Sequence, residues 1–312
     1  MKTFVFVGAA ALALAAGMAN AQVNGQYKPA YGAPLALQTN GTGFGNSTSG
    51  DALFANGSEL DGVYAYAAGG NLNLLLTGNL ESNYNKLSIF IDNGSGQGQN
   101  VLDNSTFFGL EGQFNGMKFD SGFSPTHHIS ITGGGGQSTP SGYGLFVNAG
   151  RTAGVGGNAM DGDYLGGNDG QNGGALNLFG GNNWLGALVA INNSNTAGVD
   201  GSGLGTGPAG VLTGIEVQIP LASLGVASAN GLKIAAFVNG ANWDYLSNQV
   251  LGGLPAGTGN LGGDGAGNYN GSVGGIDFTQ FAGNQYVTIV PTPGVVSVIG
   301  LAGLAAARRR RA

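Results

Sequence analysis

Nine short apolar runs, many of them alternating, are strung between stretches dense in glycine and asparagine. Alternation matters because successive side chains of a strand point to opposite faces, so residues of one parity share a face. Leu72, Leu74 and Leu76 in "NLNLLLTG" share a parity, as do Leu87, Ile89 and Ile91 in "KLSIFID" and Ile129 and Ile131 in "HHISIT". In "GIEVQIP", Ile215, Val217 and Ile219 read as inward, with Glu216 and Gln218 outward. "VYAY" (63–66), "YGLFVN", "WLGALVAIN" (184–192), "LKIAAFVN" and "NQYVTIV" complete the series. No convincing amphipathic helix lies among them. The pattern predicts an all-β chain: a single antiparallel β-sandwich, jelly-roll-like, with long Gly/Asn-rich loops.

Composition bears on whether such a chain can fold at all. Its 64 glycines and 9 prolines approach the range of low-complexity chains. Yet 42% of its residues are hydrophobic and they cluster in the runs, which is enough to bury a core. The glycines are therefore placed in turns and loops. There is no cysteine, which excludes disulfides, Cys-ligated zinc, thiol nucleophiles and a lipid anchor on Cys.

Charge divides the chain into three parts. Lys2 stands at one end and Arg308, Arg309, Arg310 and Arg311 at the other. Between them, five cations (Lys28, Lys86, Lys118, Arg151 and Lys233) face all 16 acidic residues, so the middle carries −11 against −6 for the whole chain. Such a surface repels phosphate backbones, and no nucleic-acid partner is expected. The start, "MKTFVFVGAAALALAAGMANAQ", joins a Lys and an apolar stretch to Ala19-Asn20-Ala21. Small residues at Ala19 and Ala21 suit signal peptidase, so residues 1–21 read as a secretory signal cut after Ala21. At the other end, Gly294 to Ala307 is a 14-residue run without charge. As a helix it spans about 21 Å, short of a hydrocarbon core of about 30 Å. The arginines extend its reach by snorkelling and stay in the cytoplasm. The expected organisation is an apolar helix at each end, with a β body over 22–290 and a tail over 291–312.

That tail, with Pro291-Thr292-Pro293, a short apolar helix and a terminal Arg cluster, resembles the PEP-CTERM class of bacterial sorting signals. Thr292 stands where the class usually has Glu. The resemblance implies an exported protein, transiently anchored in the membrane by its tail, processed by an exosortase-type protease and placed at the cell surface or outside the cell. In the body, "LDGVYAYAAGGNLNLLLTGNL", "NKLSIFIDNG" and "TGIEVQIPLASLG" resemble DOMON-like or family-9-like carbohydrate-binding β-sandwiches. The last segment implies a strand ending at Pro220 and a turn that tucks Leu221 and Leu224 back onto the core.

Chemistry is sparse. His127 and His128 are neighbours on a strand and point to opposite faces, so they share no metal; a surface or edge position is expected. No nucleophile elbow, Walker loop or zinc-protease motif is present. A hydrolase would need two carboxylates converging in one cleft. "DGDYLGGNDGQN" offers Asp161, Asp163 and Asp169 in a flexible loop, and calcium is the cofactor such oxygens would suit; Asp92 in "FIDNGSGQGQN" is a weaker candidate. Trp184, Trp243 and Tyr245 could stack on sugar rings, whose axial C–H bonds meet an aromatic face. The functional expectation is a secreted, non-enzymatic surface or matrix protein, with an exopolysaccharide-binding module as the alternative.

Overall fold

A computed structural model describes residues 22–103, 109–135, 143–152, 163–168 and 177–290. The predicted terminal helices, with Ala19, Ala21, Pro291, Thr292, Pro293 and Arg308 to Arg311, lie outside these residues. Among the described residues there is no helix longer than a six-residue 3-10 turn, and none long and apolar enough to cross a membrane.

The chain forms two antiparallel sheets. The smaller holds β1 (Ala36–Leu37), β2 (Glu59–Ala68), β3 (Asn71–Asn79), β10 (Gly214–Pro220) and β9 (Leu188–Ile191), side by side in that order. The larger runs β12 (Leu246–Leu251), β11 (Lys233–Asn239), β4 (Lys86–Asp92), β5 (His127–Gly135), β6 (Tyr143–Arg151), β7 (Asp163–Asn168) and β8 (Phe179–Gly180), with β13 (Val287–Thr288) also paired to β11. The hairpin between β2 and β3 turns on Gly69 and Gly70, with φ of 58° and 79°. Positive φ at both central positions is the twist-matched turn that glycine adopts without strain.

The inner faces of both sheets share one hydrophobic core. Leu72, Leu74, Leu76, Ile215, Val217 and Ile219 of the small sheet meet Leu87, Ile89, Ile91, Ile129 and Ile131 of the large one, all at most 1% exposed. The parity reading therefore holds strand by strand. The 3-10 turn Leu221–Leu224 after Pro220 buries Leu221 and Leu224, and closes on Gly225 in the left-handed conformation.

Several expectations are corrected. The winding is not jelly-roll-like: β4 to β8 are successive neighbours in one sheet, a meander. The 184–192 run is a strand only over Leu188–Ile191, and Trp184 sits in the turn before it. "NQYVTIV" pairs only at Val287–Thr288.

The larger correction concerns the outer faces, which are covered rather than solvated. Segments 109–123, 240–245 and 252–281 lay Phe114, Phe119, Phe123, Trp243 and Phe278 over Phe90 and Phe237 of the large sheet, making a second core. His128, expected at the surface, is fully buried there, stacked on Phe90 with ring centroids 4.4 Å apart. On the small sheet, Tyr27 and Tyr31 of the N-terminal segment cover Tyr64 and Tyr66. Glu216 points to this outer face, as its parity requires, but is buried beneath the segment. It accepts from the Asn24 and Gly25 amides at 2.8 and 3.0 Å and from the Tyr31 hydroxyl at 2.8 Å, and it pairs with Lys28. Gln218, two residues on, is half-buried and donates to Asn73 Oδ1.

Candidate functional site

Three places carry chemistry beyond packing. The first is an aromatic row on the outer face of the large sheet, beyond the edge of the second core. Phe146 alternates with the core residues Leu145 and Val147 on β6, and Tyr164 precedes the core residue Leu165 on β7, so both rings face out. Tyr84, just before β4, lies over β5. The three rings are 40%, 38% and 51% exposed. Glycines let them lie flat. A Cβ at Gly134 would come within 2.5 Å of the Tyr84 ring and 3.3 Å of the Phe146 ring. At Gly167 it would come 2.8 Å from the Tyr164 hydroxyl and 3.5 Å from Phe146. Tyr84 and Phe146 thus overhang one glycine, and Phe146 and Tyr164 another, so the three rings line up across neighbouring strands. Tyr84 also has φ of 71°, strained for a bulky side chain and held by its amide donating to Gly133 O.

The second place is a cleft of about 460 Å³ at the end of the core, where Asn93, Gln97, Arg151 and Ser223 meet His127. His127 faces Arg151 across the β5–β6 ladder and is buried, which corrects its expected surface position. Burial, then the Arg151 charge, lowers its pKa to about 4, against the opposing effect of a hydrogen bond with the Ser223 backbone. The ring is neutral at physiological pH. The Arg151 guanidinium lies 4.1 Å above the Trp184 ring, so one face of that tryptophan is already occupied.

The third is a pair of buried acids at the start of β2. Leu60 and Val63 both reach the inner core although three residues apart, because the β2–β3 register shifts between Leu60 and Gly62. A bulge of this kind re-aims side chains. Here it leaves Glu59 and Asp61, 1% and 0% exposed, against the loop around 195–206. Glu59 Oε1 accepts from Asn195 Nδ2 at 2.9 Å and Asp61 Oδ1 from the Val199 amide at 3.0 Å. The other oxygen of each, Glu59 Oε2 and Asp61 Oδ2, is buried without a hydrogen-bond partner. Burial, then the Asp61 charge, pushes the Glu59 carboxyl up to about 9, against lowering by Asn195 and the Ser47 backbone. Burial raises Asp61 to about 7, with the Val199 amide opposing. The cavity beside Glu59 is about 60 Å³, room for a water or two and not for a sugar ring, so this pair is not arranged for glycoside hydrolysis.

Among the described residues, those singled out from sequence do not come together. Trp243 is buried, its indole N–H donating to Ser130 Oγ at 2.9 Å and its face covered by Lys86 Nζ at 4.3 Å. Tyr245 is half-buried, stacks on Phe44, and donates its hydroxyl to Gly267 O. Asp163 opens β7 and accepts from Asn182 Nδ2, while Asp161 and Asp169 lie outside the described residues. Asp92 spends its oxygens on the Gly94 and Ser124 amides and lies 3.9 Å from Lys233 Nζ. What sequence reading missed, Tyr84, Phe146, Tyr164 and the pair Glu59–Asp61, had one visible signal: outward-parity aromatics inside glycine-rich strands. No family model, no curated protein and no solved structure matches this chain.

Proposed function

We propose that the protein is an exported, non-enzymatic component of the cell surface or extracellular matrix, a single sandwich domain delivered by a PEP-CTERM-like tail. The observation that carries this is where the body ends. Ile289 is still packed at 5% exposed, and Val290 is out in solvent at 63%, one residue before Pro291-Thr292-Pro293. The body starts in matching fashion, with Val23 buried two residues after Ala21. Buried residues thus reach to within two positions of Ala21 and of Pro291, which is what cutting by signal peptidase and an exosortase-type protease at those points requires of the body. Mass spectrometry of the exported protein tests the reading: its C-terminal peptide is expected to end near Pro293. An exported form that still ends in the four arginines overturns it.

The aromatic row favours a second reading, binding of exopolysaccharide. Flat exposed rings beside a polar rim suit the apolar faces of sugars and discriminate little between linkages. Replacing Tyr84 and Phe146 by alanine is expected to weaken retention on the native polysaccharide about tenfold, the scale of about 1.4 kcal/mol, with the melting temperature little changed. Unaltered retention by the double variant removes this role from the row.

A further inference from the structure

We propose that Glu59 and Asp61 hold a divalent cation of the calcium class, clamped between the β2 bulge and the 195–206 loop. The inference does not depend on the reading of the tail or of the aromatic row. It begins with an imbalance. Two carboxyls lie side by side in the fold, each with one oxygen bonded and one buried and unpartnered. Leaving a buried acceptor unmatched is costly, more so for a group that ionises. No cation of the body relieves it: Lys28 pairs with Glu216, Lys118 with Asp277, Lys233 lies near Asp92, Lys86 covers Trp243, and Arg151 covers Trp184. The charged group on the far side is a third acid, Asp200, whose field adds to that of Asp61 at Glu59.

The surroundings supply what such an ion needs. Among the described residues no three acid, His or Cys side chains stand at metal-ligand spacing. The donor set is therefore two carboxylates completed by neutral oxygens. The small cavity beside Glu59 is lined by Asn46, Thr196, Thr206 and residues 197–200, Asp200 among them. Oxygen-only donors without nitrogen or sulfur select hard cations, and an irregular mixed cage selects calcium over the smaller magnesium. The loop is built to close tightly. Gly198 has φ of 109°, and a Cβ there would lie 2.2 Å from Asp61 Oδ1; a Cβ at Gly205 would lie 2.2 Å from the Gly198 carbonyl. The bulge, Gly198 and both carboxyls meet at the same loop.

Calorimetry and thermal unfolding of the purified full-length protein test this. Adding about 5 mM CaCl₂ after EDTA treatment is expected to raise the melting temperature by roughly 5–10 °C, with MgCl₂ giving less than half of that. Calorimetric titration with CaCl₂ at about pH 7.5 is expected to show one ion per chain. The Glu59→Gln, Asp61→Asn double variant should lose the calcium shift and melt in EDTA no lower than the unaltered protein, because neutral amides remove the repulsion. An unchanged melting curve in calcium, an equal shift with magnesium, a titration without one bound ion per chain, or a double variant that keeps the full shift each overturns the proposal. The titration needs no variant, so a misfolded double variant leaves the test intact.

Discussion

At the scale of single residues, the buried acids divide by whether they have donors. Glu216 receives two amides, a hydroxyl and an ammonium; Glu59 and Asp61 receive fewer donors and each keeps one buried oxygen without a hydrogen-bond partner. Replacing Glu216 by alanine strands Lys28 and the Tyr31 hydroxyl under the N-terminal segment, and a loss of about 3–5 kcal/mol is expected in denaturant unfolding. For the other two, the sign of the pH effect follows from the raised carboxyl values. The metal-free fold binds their protons more tightly than the unfolded chain does, so their contribution is greatest below the ordinary carboxylate range, near pH 4. It is lost as pH rises through about 7 for Asp61 and about 9 for Glu59. His127 works the other way, its neutral ring favouring the fold as pH rises from about 4 to its ordinary value of 6.5. Above that value only the acids remain. In EDTA the melting temperature is therefore expected to fall between about pH 6.5 and 9, and Glu59→Gln should flatten the slope. A melting temperature that rises across this range in EDTA contradicts the placement of the pair.

At the scale of elements, the β2 bulge and the loop it faces depend on each other. Gly198 has no room for a side chain, so Gly198→Ala must push the loop off Asp61; a cost of about 2–3 kcal/mol is expected, with the calcium response reduced. The same pairing shows what a sequence discloses. Parity placed Leu72, Leu87, Ile129 and Val217 on the inner faces because a period of two is local and each strand carries its own copy. The bulge is not local: Glu59 and Asp61 read as ordinary alternation, and their partners lie 136 and 138 residues away. The outer layers were illegible for a related reason. Phe114, Phe119 and Phe278 come from loops with no period at all, and nothing near His128 announces that they will cover it. Trp243 and Tyr245 are conspicuous in the chain and mostly spent on packing, whereas Tyr84, Phe146 and Tyr164 line up only through β5–β6–β7 pairing.

At the scale of the whole molecule, stability is spread over three packed zones: the shared core, the aromatic layer outside the large sheet, and the tyrosine cluster under the N-terminal segment. Removing residues 22–31 opens the third zone alone. It should lower the melting temperature by roughly 10 °C, on a scale of about 2–4 °C per kcal/mol, without abolishing the β signature in far-UV circular dichroism. A truncated chain that melts with the intact one would show that the cover is ornamental. The sheets also finish unusually. β1 and β8, at one end of the small and of the large sheet, are only two residues long. A rim that brief offers a neighbouring copy almost no ladder to extend. Crowded together at high concentration, such molecules can lie shoulder to shoulder without seeding cross-β fibres from those rims.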